Sequence, residues 1–281
     1  MKSCYKISLT GDLGSGKSTV CKIISEAIGA EVVSIGTIQR RMAKEKGMTT
    51  YEFNHYMETH PEIDDEFDTM LKSYDAVSDK NLLFDSRLAW NFVPSAFSVY
   101  LTTDLMVAAK RVCMAQRDNE GYADVEEAMS RLSERRASEI LRYSTLYGLN
   151  IKDMFNYDLI VDSTTASPSE VAEIIVSECK KYFDGTRKKL HAFSPYRLYP
   201  LTCSGKDGEI ELVMCNDFYF VCSGLDALAC ALKEGKSTVP CRLKDVDEKE
   251  KVAFIAQNCS ISHLERWEAD NGFKYERYPE I

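Results

Sequence analysis

The fold is decided by Gly11-Asp12-Leu13-Gly14-Ser15-Gly16-Lys17-Ser18, followed by Thr19. The stretch fits the phosphate-binding pattern G-x-x-x-x-G-K-[ST] at every fixed position. Its flanks suit the pattern. Between Cys4 and Leu9, Tyr5, Ile7 and Leu9 alternate with polar neighbours, which predicts a strand. After Lys17, Val20, Ile23, Ile24, Ala27 and Ile28 recur at helical spacing until Gly29 offers a stop. Strand, glycine loop and helix together aim backbone N–H groups and a helix N-terminus at one anion. Gly11, Gly14 and Gly16 allow positive φ and close backbone approach. Lys17 is expected to reach the terminal phosphates of a bound nucleotide, and Ser18 to hold Mg²⁺.

Outward from the loop, strands and helices alternate. Glu31–Ser34 reads as a second strand, and Gly36 opens a helix that carries Arg40 and Arg41 toward Gly47. Thr49 and Glu52 stand at capping-box spacing, His60-Pro61 breaks the helix that they start, and an acidic helix follows from about Glu62 to Tyr74. Asn81–Asp85 is an apolar strand ending in an acid, with Arg87 two residues later. Phe97–Leu101 is the next strand, and Thr103-Asp104 caps a helix bearing Arg111 and Arg117. Asp124 to Arg142 is a long charged helix on which Arg135 and Arg142 fall two turns apart on one face. Tyr157–Val161 is a strand ending at Asp162, and Ser167-Pro168-Ser169-Glu170 starts a helix to about Phe183. Five strands alternating with helices predict an α/β fold, a five-stranded parallel sheet covered by helices, with ligands at the carboxyl ends of the strands.

Composition narrows the possibilities. A chain of 281 residues, 44% hydrophobic and 28% charged, is long enough for one large domain or two smaller ones. Its net charge of −9 disfavours general nucleic-acid binding. It contains no apolar run of the roughly 18 residues that a membrane span needs. The opening Met1-Lys2-Ser3-Cys4 leads straight into a strand, so no secretory signal and a cytoplasmic location are expected. The ten cysteines form no C-x-x-C pair and read as reduced thiols.

Residues 1–185 resemble the nucleoside monophosphate kinases, and most closely the short, archaeal-type cytidylate kinases of the P-loop class. The resemblance rests on the phosphate loop together with Ser34-Ile35-Gly36-Thr37-Ile38-Gln39-Arg40, Glu52-Phe53-Asn54, His60-Pro61-Glu62-Ile63-Asp64, Phe84-Asp85-Ser86-Arg87-Leu88-Ala89 and Asp162-Ser163-Thr164, in family order. It implies ATP and Mg²⁺ as cofactors and a nucleoside monophosphate, CMP or dCMP, as acceptor. Gly11 to Thr19 and Arg111 would then bind ATP. Arg111 would stack on the donor base. Ser34, Gly36, Arg40 and Arg87 would bind the acceptor, and Asp85 would orient the metal with Ser18. Lys17, Asp85, Arg135 and Arg142 would be catalytic, the two lid arginines folding over the transferred group. The chain departs from the family pattern at Leu13, where a small residue or proline is usual, at Asp85, often glutamate, and at Ser86, usually glycine.

A composition shift at Asp184–Lys189 marks the expected boundary between this domain and a small α+β domain over 190–281. There, strands are predicted at Glu209–Met214, Phe218–Val221 and Ser237–Leu243, with Asn216-Asp217 as the turn between the first two. Helices are predicted at Leu225–Lys233 and Asp247–Cys259. The pattern weakly resembles a ParB/sulfiredoxin-type domain, but Ser223-Gly224-Leu225-Asp226 lacks the arginine and histidine of that family's motif. An accessory module for a protein partner or self-association is expected. Two alternatives stay open on the sequence: a kinase for another nucleotide or small metabolite, and a nucleotide-sensing regulator acting through the C-terminal segment.

Overall fold

The computed structural model describes residues 4–49, 52–53, 56–57, 59–60, 62–77, 79–115 and 122–280. Strand β1 (Lys6–Gly11) is buried along its whole length and runs into the phosphate loop, and α1 (Lys17–Ile28) leaves it. Gly29 ends α1 in the left-handed conformation, as its position predicts. Next come β2 (Glu31–Ser34), α2 (Ile35–Glu45), α3 (Glu62–Ser73), β3 (Leu82–Asp85) and the short α4 (Ala89–Phe92). The Thr49–Glu52 box is formed, the two residues bonding reciprocally at 2.7 and 3.1 Å. Asn54, Pro61 and Arg117 lie outside the described residues.

After β4 (Phe97–Thr102), Asp104 caps α5 (Leu105–Met114). Helix α6 (Val125–Tyr147) runs beyond the expected Arg142 to a left-handed Gly148. Strand β5 (Leu159–Asp162) and α7 (Pro168–Phe183), with its predicted capping box, complete the first region.

Strands β2, β3, β1, β4 and β5 pair in parallel in that order. The sheet does not end there. Strand β6 (His191–Phe193) pairs in parallel with β5 at Val161↔Ala192. The sheet then continues through the remaining strands in the order β10, β8, β9, β7: β10 (Val239–Leu243), β8 (Ile210–Cys215), β9 (Phe218–Ser223) and β7 (Leu198–Pro200). The five expected strands are thus one part of a sheet that has ten strands among the described residues. The turn that ends α7 at Gly185 falls where the composition shifts, and the chain then re-enters the same sheet. Helices α8 (Leu225–Lys233), α9 (Glu248–Asn258) and α10 (Ile261–Asn271) complete the C-terminal region.

Alternation along the central strands explains why one core spans both regions. Val99 and Leu101 of β4 and Leu159 and Val161 of β5 face α1 and α7. Tyr100 and Ile160 face the other way. They are buried with Phe193, Leu198, Leu212, Tyr219 and Leu228 of the C-terminal region. Each such side chain contributes about 2 kcal/mol on burial. Strands β6 and β7 and helix α10 were not anticipated from the sequence. The two strands have three residues each, too few to show a period.

Candidate functional site

The phosphate loop is shaped by close backbone packing. A Cβ on Gly11 would lie 2.3 Å from the Leu101 carbonyl oxygen, and one on Gly14 would lie 2.8 Å from Ala108 Cβ. Gly14 and Gly16 have φ of 76° and 83°. Among the described residues, no acceptor takes the N–H groups of Gly14, Gly16, Lys17 or Ser18. They form a set of donors at the start of α1, suited to an anion. Ser18 and Thr19 are exposed there. Ser15 is buried and donates its hydroxyl to the Asp12 carbonyl at 2.7 Å.

Asp12 and Leu13, expected among the ATP-binding residues, turn their side chains inward. The Asp12 backbone is occupied as well: its N–H donates to the Leu101 carbonyl at 2.8 Å and its carbonyl accepts from Ser15. Leu13 packs with Leu105, Ala108 and Ala109 of α5, which accounts for its bulk where the family pattern is small. The Asp12 carboxylate accepts from Tyr100 Oη (2.7 Å), Thr102 Oγ1 (3.1 Å) and the Thr103 N–H (3.2 Å). Arg136 and Lys152 each approach it at 3.2 Å. Burial alone would raise this carboxyl; Lys152, Arg136 and the Tyr100 hydroxyl outweigh burial and hold it well below the usual carboxylate range.

Lys17, Asp85, Arg87 and Glu139 share one electrostatic neighbourhood at the ends of β1 and β3. Burial and then Arg87 push Lys17 down to about 8, against the pull of Asp85 and Glu139. Arg87 donates to the Gly11 carbonyl and pairs with Glu139 of α6 at 3.1 Å. Ser86 is buried, and its hydroxyl accepts from the Leu88 N–H at 3.2 Å, a local cap that glycine could not supply. The Ser34 hydroxyl donates to Asp85 Oδ2 at 3.3 Å, so the start of α2 meets the acid of β3. Ser34 also caps α2 by accepting from Thr37. Arg40 is exposed, donates to Thr37 Oγ1 at 3.0 Å and lies against Gly36, whose Cβ would be 3.5 Å from its Nη1.

The remaining expected residues are occupied elsewhere. Arg111 donates to the carbonyls of Ser163 (2.6 Å) and Thr164 (3.2 Å), stapling α5 to the end of β5. The Ser163 hydroxyl in turn donates to the Ser15 carbonyl at 2.9 Å, so this staple supports the loop from below. Arg135 is half-exposed and meets Glu139 at 3.4 Å. Arg142 makes a two-oxygen bond to Asp64 of α3 at 2.7 and 2.8 Å, and Tyr147 donates to Asp68 one turn further along α3. Helix α6 is thereby tied to α3 and, through Glu139 and Arg87, to the loop.

On the sequence, Arg136 and Glu139 read as surface ion-pair charges of a glutamate-rich helix, and Lys152 and Arg197 are not singled out. Arg136 looks like one of several charges on an acidic helix, and only its distant partners set it apart. The described residues contain no group of three or more His, Cys, Asp or Glu that could hold a metal. No helix among them is long and apolar enough to cross a membrane.

The comparisons follow the same region. A family model for an AAA domain matches residues 7–142. A cytidylate kinase from Pyrococcus furiosus is 39% identical over 175 residues, 62% of this chain and 88% of that protein. One from Thermoplasma volcanium is 36% identical over 172 residues, 61% of this chain and 90% of its own. The chain belongs to the cytidylate kinase family. It is by that membership a nucleoside monophosphate kinase, and its shared region accounts for less than two-thirds of its length. A shikimate kinase structure from Bacteroides thetaiotaomicron aligns with a TM-score of 0.42 and 14% identity, over 64% of this chain and 98% of that one.

Proposed function

We propose that the chain transfers the γ-phosphoryl group of ATP to a cytidine monophosphate, CMP or dCMP. The observation that carries this reading is the link from Ser34 to Asp85 beside Lys17 and Arg87, which sets the start of α2 against the phosphate loop. A donor site and a second phosphate site then share one floor. The named activity of the relatives supports cytidine as the base.

In this reading the backbone from Gly11 to Thr19 holds the triphosphate and Lys17 stabilises its terminal phosphates. Ser18 and Asp85 offer a hydroxyl and a carboxylate, hard oxygen donors that suit Mg²⁺. When bound, the metal would neutralise charge on the phosphates. Ser34, Gly36, Arg40 and Arg87 receive the acceptor. Arg111 borders the donor base and keeps the loop's support in place. Arg87 and Arg142 are already paired with Glu139 and Asp64. An arriving phosphate competes with those carboxylates for the guanidinium groups, a bidentate exchange that lysine would make less well. Arg135 and Arg142 then cover the transferred group. A cytoplasmic location belongs to the same proposal.

A coupled assay of ADP formation, with ATP, Mg²⁺ and a panel of CMP, dCMP, UMP, AMP and GMP, tests the proposal. Turnover is expected with CMP and dCMP. A folded, ATP-binding protein that turns over neither would end it, and turnover with another monophosphate alone would reassign the acceptor.

A further inference from the structure

The turn between β8 and β9 reaches across the sheet into the kinase region. Asn216 and Asp217 both have positive φ, 49° and 65°, the pair that a tight two-residue hairpin turn requires. The carboxylate of Asp217 lies 2.6 Å from Arg136 and 2.8 Å from Lys152. These are the two cations that hold Asp12 of the phosphate loop. Arg136 spreads its fork between two carboxylates, one from the loop and one from the turn, and Lys152 bridges the same pair.

The turn is itself anchored. Arg197 donates to the Asp217 carbonyl at 3.3 Å while pairing with Asp162 at 3.1 Å, and Tyr219 donates to Thr102 at 3.3 Å. Thr102 and Asp162 are the last residues of β4 and β5, the strand ends beside the loop. Two buried cations around Asp12 alone would leave an unbalanced positive charge under the loop, and the second carboxylate cancels it. Helix α6 cannot swing away without Arg136 leaving both carboxylates.

We infer that Asp217, supplied by the C-terminal region, is a positioning residue of the phosphate-transfer site: through Arg136 and Lys152 it fixes Asp12, and with it the phosphate loop and α6. The consequence for transfer rests on the kinase reading above; the consequence for triphosphate binding does not. It gives the C-terminal region a role within the catalytic region itself.

The test uses the full chain and MgATP as probe, with affinity read by calorimetry and loop order by hydrogen exchange at residues 11–19. Asp217→Asn is expected to weaken MgATP binding about tenfold and to speed exchange in the loop and α6. Asp217→Glu is expected to recover affinity to within about threefold of the unmodified chain. In an Arg136→Met background, Asp217→Asn should cost only about threefold, because the path through Lys152 alone remains to be cut. Should the asparagine variant fail to fold, the unmodified chain still decides. MgATP must then slow exchange at the 216–219 turn as well as in the loop. Unchanged affinity and loop exchange in Asp217→Asn would overturn the inference. So would multiplicative effects of the two substitutions, or a turn unaffected by MgATP. None of these readouts needs an acceptor. A chain whose MgATP affinity depends on Asp217 but which phosphorylates no monophosphate refutes the kinase reading alone, whereas CMP turnover untouched by Asp217→Asn refutes this inference alone.

Discussion

The phosphate loop and helix α6, both assigned to the transfer site in the proposal above, are built in opposite ways. The loop is fixed by backbone: three glycines, a strand before it, a helix after it, and packing so close at Gly11 that a methyl group would overlap the Leu101 carbonyl. Helix α6 packs Ala128 and Leu132 against α5, and its second half is tied by charge pairs to distant segments: Glu139 to Arg87, Arg142 to Asp64, Arg136 to Asp12 and Asp217. A site assembled from backbone presents its donors ready-made. One assembled from ion pairs can exchange partners, which is what closing over a phosphate requires.

The strongest way to break the contrast is Lys17→Ala. Transfer is expected to fall roughly a thousandfold while the melting temperature stays close to that of the unmodified chain, because Lys17 contributes charge to the site and little to the core. Gly11→Ala should do the reverse. It lowers stability by about 3 kcal/mol or more in denaturant titration, since the clash is with backbone that cannot rotate away. Activity retained at the wild-type melting temperature would mean that the loop is less constrained than its packing indicates.

The ion-paired side should respond more mildly. Asp64→Asn frees Arg142 from its partner. A fall of about threefold in the acceptor KM, with kcat within about twofold, is expected from steady-state kinetics, because the arriving phosphate no longer displaces a carboxylate from Arg142. A collapse of kcat instead would make Asp64 part of the chemistry.

The smallest effect concerns pH. Lys17 lies at about 8, below the ordinary 10.5. As pH rises from 7 to 8 about half of the Lys17 side chains lose their proton, so MgATP affinity should decline by about twofold at most, with proton uptake on binding. Stability moves the other way. A lysine depressed in the folded state favours folding more as pH climbs from about 8 toward 10.5. Calorimetry in two buffers of different ionisation heat separates the two effects.

The same contrast explains what the sequence disclosed. The loop was legible because its requirements are local: glycine at the left-handed positions, Lys17 and Ser18 at fixed spacing, Gly29 to end the helix. Ser34, Asp85 and Arg87 were legible through family order, and Ser34 and Asp85 do meet. Arg136 was not, because a charge on a helix facing solvent and one facing a buried carboxylate have the same spacing. Nor could Asn216-Asp217, read as a turn, disclose where it points. Its partners, Arg136 and Lys152, lie in another part of the chain, more than sixty residues earlier in sequence. The C-terminal region read as a separate module because composition changes at 184–189, while the shared core depends on which faces of β4 and β5 remain uncovered.

The most direct measurement follows the label of [γ-³²P]ATP when the full chain is mixed with CMP and Mg²⁺. Labelled CDP and unlabelled ADP should appear in equal amounts, and both should vanish in Lys17→Ala. ADP and free labelled phosphate without CDP, or CDP formation that survives the loss of Lys17, would contradict the account.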